Sequence, residues 1–222
     1  MAAKGGFPIS IGCQGVHWDD IVKGGNFGAF TTSRPAAAMA ALGCSAVIIG
    51  HCEERRSLAA VLAEGGVEAA ASASAINRLL GKEIAAARTQ DLEVLYCIGE
   101  KAEEQDQWQD VLSAQIEVGL SAAPEGRLVI GYEPVWAIGP GKVPPEREYI
   151  EKIARFIKEK TSKALGFPLP VVYGGGLKTD NAAMLASIPE IDGGLIALTR
   201  FSGEIGFYPE EYLEIVDLYL KG

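Results

Sequence analysis

The sequence predicts an α/β fold built on a parallel sheet, and three observations carry that expectation. Six short apolar runs alternate with longer helical stretches along the 222 residues. Two of these runs, 46–49 (Ala-Val-Ile-Ile) and 94–98 (Val-Leu-Tyr-Cys-Ile), are apolar throughout rather than alternating, which marks strands buried on both faces. The polar residues that stand out, His51, Glu100 and Glu133, each follow such a run, at the strand ends where parallel folds hold their ligands.

Each element can be justified in turn. The run 9–14 (Ile-Ser-Ile-Gly-Cys-Gln) reads as a strand ending in a glycine-rich segment. A long loop, 15–32, carries His17, Trp18 and Gly24-Gly-Asn-Phe-Gly28; loops of this length in compact domains are usually functional or make contacts. Residues 35–42 suit a short helix with proline in its first turn. After the strand at 46–49, His51 opens the charged run Glu53-Glu54-Arg55-Arg56, which could pair internally and orient the histidine, or could simply be a solvated helix start with its acids near the positive end of the dipole. The stretch 57–89 is alanine-rich and helical, with breaks expected at Gly65-Gly66 and near Ser72. Beyond the strand at 94–98, residues 105–120 place Trp108, Val111, Leu112, Ile116 and Leu120 near helical spacing. The run 128–132 is the fourth strand, and 146–165 a helix with Ile150, Ile153, Ala154 and Ile157 on one face. Residues 170–173 form the fifth strand and lead into Gly174-Gly-Gly176. A short helix at 179–187, a sixth strand at 194–198 and a last helix at 209–220 complete the pattern. No linker or charge block interrupts it, so a single domain over 1–222 is expected.

Composition removes several classes of function. The chain is 48% hydrophobic, enough for a packed core, yet no run approaches the roughly 18 apolar residues of a membrane span. No apolar segment follows a basic one at the start, so no signal peptide is read. A net charge of −9 argues against nucleic acid, although an anionic small molecule can still bind at a helix N-terminus. Cys13, Cys44, Cys52 and Cys97 lack CxxC spacing and fit reduced, mostly buried thiols in a cytosolic protein. With two histidines and no paired cysteines, neither zinc nor any other metal or cofactor is expected.

The fourth strand holds the clearest chemistry. Glu133 stands at its C-terminal end, and Pro134, without an N–H, stops the ladder. An apolar segment, 135–138, follows and is closed by Gly139 and Gly141, as in a hinged flap. One reading is a catalytic base under a lid; the other is an ordinary βα loop with a surface glutamate. The shared strand-end position of His51 and Glu133 favours the first. A carboxylate facing an imidazole suits proton abstraction beside a carbonyl, with the histidine polarising the oxygen as charge develops. Backbone N–H groups of Gly174-Gly-Gly176 could hold a phosphate, though glycine is also ordinary turn chemistry.

Here a resemblance becomes specific. Tyr132-Glu-Pro-Val-Trp-Ala-Ile-Gly-Pro-Gly-Lys142 resembles the base and lid of triosephosphate isomerases, and Ile48-Ile-Gly-His-Cys-Glu53 resembles that family's histidine segment. Cys97-Ile-Gly-Glu100, Tyr173-Gly-Gly175, Asp180-Asn-Ala-Ala183 and Ile191-Asp-Gly193 are similar to further segments, in order. Gly12-Cys-Gln-Gly15 and Gly28-Ala-Phe-Thr31 resemble its third strand and the following loop, which makes dimer contacts in the family. The resemblance implies a TIM-type (β/α)8 barrel, of which about six βα units are visible. It also implies a homodimer acting in the cytoplasm on a small phosphorylated sugar. By resemblance Glu133 is the proton-shuttling base, His51 the neutral electrophile and Glu53 an electrostatic support. Gly139 gives a lid N–H to the phosphate, joined by Gly175, Gly176 and the residues at the family's last glycine pair, here Ala197 and Leu198.

The departures from the family carry expectations too. The chain begins just before the family's third strand, so a late start is expected, with completion of the barrel by another chain as the alternative. The family's Asn-x-Lys segment, whose lysine binds substrate, occurs nowhere in this sequence. Gly176 replaces the usual serine, Cys52 stands where serine is usual, and Glu54 either falls where the family has its first arginine or marks a one-residue insertion. Arg200 is expected to supply an anion-binding fork in place of the glycine pair. The expected activity is interconversion of dihydroxyacetone phosphate and glyceraldehyde 3-phosphate. The alternatives are another short phosphorylated sugar, such as a tetrulose phosphate, or a non-catalytic phosphometabolite binder.

Overall fold

A computed structural model describes residues 9–26, 28–121, 126–139, 141–200 and 203–222. Residues 1–6 and Phe27 and Pro140, all invoked above, lie outside the described residues. Six strands form one parallel sheet in sequential order: β1 (Gly12–Cys13), β2 (Ala46–Ile49), β3 (Glu93–Ile98), β4 (Leu128–Tyr132), β5 (Val171–Tyr173) and β6 (Gly193–Gly194). Sequential parallel order is the order of a TIM-type barrel, and the sheet curls as part of one. β1 and β6 are its edges, with no ladder joining them among the described residues.

Register explains why the notable residues meet. Ile49 pairs with Tyr96, Ile98 with Tyr132, and Tyr132 with Tyr173. The C-terminal ends of β2 to β5 are therefore level, and His51, Glu100, Glu133 and Gly174 leave the sheet at one rim.

The edge strands are shorter than the apolar runs suggested. β1 covers only two residues, not 9–14, and β6 covers 193–194 rather than 194–198. β5 ends where the Gly174 turn begins, so beyond the Leu195 N–H, which reaches the Tyr173 carbonyl at 2.8 Å, the sixth run has no ladder partner. An edge strand has no second neighbour to hold it extended.

The helices follow the sequence more closely. They are α1 (Ala36–Ala41), α2 (Cys52–Glu64), α3 (Ala69–Thr89), α4 (Trp108–Gly119), α5 (Arg147–Leu165), α6 (Ala182–Ala186) and α7 (Pro209–Lys221), with 3-10 turns at Ala102–Gln107 and Val135–Ala137. α2 starts at Cys52 because His51 caps it and Glu53 and Glu54 lie in its first turn, where negative charge suits the helix dipole. The chain breaks at Gly65-Gly66 as expected. It does not break near Ser72, which is buried within an unbroken α3 rich in alanine, the best helix former. α6 is short because Asn181 closes a turn first: its Oδ1 accepts the Lys178 N–H at 2.8 Å and its Nδ2 donates to the Gly176 carbonyl at 2.9 Å.

Packing fixes the rim from behind. Ile150, Ile153, Ala154 and Ile157 of α5 are all buried, as their spacing predicts. Ile76, Leu80 and Ile84 of α3 and Leu112 and Ile116 of α4 join the same cluster against the strands. Each such side chain contributes about 2 kcal/mol of burial, so the sheet is a stiff base for groups at its rim.

Candidate active site

Glu133 is held by its backbone before its side chain does anything. Its N–H donates to the Ile98 carbonyl at 2.8 Å, continuing the β3–β4 ladder by one residue. The carboxylate is buried, and its two oxygens have different partners. Oε1 lies 3.0 Å from His51 Nε2, and Oε2 accepts the Cys52 N–H at 2.9 Å. The glycine turn packs against it: a Cβ on Gly174 would sit 2.8 Å from Glu133 Cγ. Burial raises the Glu133 pKa above the ordinary carboxylate value, while His51 and the Cys52 N–H pull it back.

His51 caps α2, and that position settles its tautomer. Its Nδ1 faces the Glu53 N–H at 3.3 Å, and a backbone N–H can only donate. Nδ1 is therefore the acceptor, and in a neutral ring Nε2 carries the hydrogen and donates it to Glu133. The His51 side chain is 42% exposed against 3% for Glu133, so the ring forms the wet wall of the site and the acid its dry floor. The Glu53 side chain is exposed; among the described residues only its backbone N–H touches the histidine.

Cys52, which stands where the family has serine, also belongs to the site: its backbone N–H holds Glu133 and its thiol lies beside the histidine. Burial and the charge of Glu133 push its thiol up to about 11, so it stays protonated near neutral pH. His51, Cys52 and Glu133 offer three metal-type donor atoms within 4.8 Å of one another. A metal on Nε2 would require Nδ1 to carry the proton, yet Nδ1 faces the Glu53 N–H, so the ring is set to donate a hydrogen bond from Nε2 rather than to bind a metal there.

The charged run after His51 does not pair internally; Glu53 and Glu54 lie in the first turn of α2, as the alternative reading of a helix start has it. Arg55 turns inward: its Nε donates to the Gly50 carbonyl at 2.8 Å, and its other nitrogens reach Asn77, Tyr96 and the Cys97 carbonyl.

Over the rim, the 3-10 turn Val135–Ala137 forms the lid base. Trp136 donates its indole N–H to Glu100 Oε1 at 2.7 Å, and Tyr132 and Tyr149 donate hydroxyls to the same oxygen at 3.1 Å each. Glu100 is fully buried. Its strand-end position was visible in the sequence, but its role as the lid's anchor was not. Gly139 is exposed in the lid.

The expected phosphate groups are placed unevenly. Gly175 and Gly176 lie in the turn beyond Glu133, and their N–H groups have no hydrogen-bond partner among the described residues. Ala197 is exposed and Leu198 half-buried. Arg200 is engaged elsewhere: its guanidinium is paired with Glu211 and lies 3.9 Å over the Tyr208 ring. Its fork faces a carboxylate of the same chain.

A family model described as triosephosphate isomerase matches residues 2–205. The chain belongs to the triosephosphate isomerase family. The triosephosphate isomerase of Roseiflexus castenholzii is 34% identical over 199 residues, covering 86% of this chain and 70% of the relative. That of Chlorobium phaeovibrioides is 34% identical over 206 residues, covering 90% and 74%. The crystal structure of triosephosphate isomerase from Bartonella henselae matches with a TM-score of 0.73 at 29% identity, covering 98% of this chain and 80% of that one. Family membership and the sequential parallel sheet agree on the TIM-barrel architecture.

Proposed function

We propose that this chain interconverts dihydroxyacetone phosphate and glyceraldehyde 3-phosphate. The observation that carries the reading is the buried Glu133 carboxylate 3.0 Å from His51 Nε2, beside a tryptophan-anchored lid. Glu133 takes a proton from the carbon next to the carbonyl, and His51 donates a hydrogen bond to the carbonyl oxygen as it becomes an enediolate oxygen. Glu133 then returns the proton to the neighbouring carbon while the hydroxyl proton passes from the first enediol oxygen to the second, with His51 Nε2 placed to relay it, so atoms and charge balance and no cofactor is needed. These two roles come with the resemblance; the tautomer of His51 supports them independently. The raised basicity of a desolvated Glu133 suits a general base. The free N–H groups of Gly175 and Gly176 support phosphate binding there, with Gly139, Ala197 and Leu198 expected to close around it.

A second reading is a phosphometabolite binder without turnover. It is favoured by the engagement of Arg200 with Glu211, which leaves the phosphate turn with backbone donors. Measuring glyceraldehyde 3-phosphate conversion by this chain and by Glu133→Ala separates the two. A parental rate at least a thousand-fold above the variant, roughly what loss of a general base and its electrostatics costs, supports the isomerase. Equal background rates, with phosphate binding retained, support the binder.

The remaining expectations belong to the same proposal. The loop after β1 exposes Trp18, Ile21 and Val22, which supports a homodimer contact there. Light scattering of the parent and of Trp18→Glu tests it, and a monomeric parent would remove it. No helix among the described residues is long and apolar enough to cross a membrane. Four free cysteines support a reducing, cytoplasmic setting.

A further inference from the structure

Glu100 is held unevenly. It is fully buried just beyond the end of β3, and three donors converge on its Oε1: the Trp136 indole N–H at 2.7 Å and the Tyr132 and Tyr149 hydroxyls at 3.1 Å each. Its other oxygen, Oε2, has no hydrogen-bond partner among the described residues. The direction of the carboxylate therefore rests on the donors at Oε1. One of them, Trp136, belongs to the lid. The other two belong to the frame, since Tyr132 ends β4 and Tyr149 lies in the first turn of α5.

Tyr149 stands where the chain leaves the lid. α5 begins at Arg147, the Tyr149 N–H donates to the Glu146 carbonyl at 3.1 Å, and the next residue, Ile150, is fully buried in the core. The tyrosine is thereby fixed to the packing behind the sheet, and its ring meets Trp136 edge-on at 5.8 Å. Burial and the adjoining Glu100 push its phenol up to about 12, so it remains a hydroxyl donor near neutral pH. On the entry side, the Val135 N–H donates to the Glu100 carbonyl at 3.1 Å. Glu100 thus holds the entry of the lid by main chain and side chain, and meets its exit through Tyr149.

We propose that Tyr149 is a positioning residue for the lid: its hydroxyl, carried on the first turn of α5, fixes the Glu100 oxygen on which Trp136 rests, and so couples the exit of the lid to its entry. One frame donor would let the carboxylate swing about that bond, whereas two from different elements hold its oxygen in place. The effect on turnover rests on the isomerase reading; the coupling of the two hinges can be read without turnover.

Tyr149→Phe keeps the ring and its contact with Trp136 and removes only the hydroxyl. Hydrogen exchange of a peptide spanning 133–142 should then accelerate about three- to ten-fold, less than the full loss of a bond to a charged acceptor because Tyr132 remains. Exchange within α5 should keep its parental rate. In a Trp136→Phe background the same change should add less than about two-fold to the exchange of 133–142, since no indole is left for Glu100 to hold. With glyceraldehyde 3-phosphate, kcat/KM should fall about three- to ten-fold in Tyr149→Phe, and hardly further when Trp136→Phe is already present. The inference is overturned if Tyr149→Phe leaves lid exchange unchanged, if the acceleration is confined to α5, or if it is as large without Trp136 as with it. Coupled exchange in a chain without turnover would keep the hinge coupling and defeat the isomerase reading instead.

Discussion

Replacing Trp136 with phenylalanine removes one hydrogen bond from the lid and almost nothing else. The phenyl ring keeps the edge-on contact with Tyr149, whose ring centroid lies 5.8 Å away. What disappears is the indole N–H donated to Glu100 Oε1 at 2.7 Å. A hydrogen bond to a charged acceptor is worth about 1.5–3 kcal/mol, and here the acceptor is fully buried, so water cannot replace the donor cheaply. Glu100 Oε2 already lacks a partner among the described residues, which makes the loss at Oε1 harder to absorb. If that energy holds the lid down, the open population should rise about ten- to a hundred-and-fifty-fold. Hydrogen exchange of a peptide spanning 133–142 reads this directly, because the Val135 N–H is tied to the Glu100 carbonyl at 3.1 Å and the Ala137 N–H to Pro134 at 2.8 Å. Exchange there should accelerate by that factor while α3 and α5 keep parental protection. Unchanged exchange in the lid would show that Glu100 does not anchor it. Acceleration spread evenly over the chain would mean that the bond supports the fold rather than the lid.

Three further outcomes follow from the same geometry. Glu211→Gln should weaken the hold on Arg200 and free its fork, tightening inorganic phosphate binding by about two- to ten-fold in calorimetry; unchanged affinity would place Arg200 outside the phosphate subsite. Glu83 has a raised pKa when folded, about 9 against roughly 4.3 unfolded, so its contribution is present at low pH and is lost as pH rises between those values. The unfolding free energy of the parent, measured in urea, should therefore fall from pH 6 to 9 by more than that of Glu83→Gln, by up to about 1.4 kcal/mol per pH unit, and parallel curves would refute the raised pKa. Asp20→Ala should cost about 1 kcal/mol by urea unfolding, since Asp20 accepts the Ala37 N–H at 3.1 Å and the Gln90 amide at 3.1 Å; a neutral result would show that water caps α1 equally well.

Much of the barrel was legible because local signals and tertiary placement agree. Strands apolar on both faces require cover on both sides, and alternation with amphipathic helices leaves a sequential parallel sheet as the natural solution. The α5 face Ile150, Ile153, Ala154 and Ile157 could be read from periodicity and is buried as read. The edges were not legible. The run at 194–198 looks as strand-like as 171–173, but a strand needs a partner over its whole length, and β5 ends at Tyr173. Ser72 resembled a break because serine competes for backbone hydrogen bonds in isolation; inside α3 the alanine-rich context prevails.

The sequence by itself determined the rim and its chief members. His51 and Glu133 follow strands, and strand ends of a parallel sheet share one edge, so their meeting was implied by order alone. Tertiary structure decided everything that depends on reach and direction. It set the His51 tautomer through the Glu53 N–H, and it brought Trp136, Tyr132 and Tyr149 onto one oxygen of Glu100. It sent Arg55 inward to clamp Gly50 and turned Arg200 toward Glu211. The physical reason is the same in each case. A hydrogen bond depends on ångström-scale distance and on angle between groups far apart in the chain, whereas burial and strand order depend only on pattern.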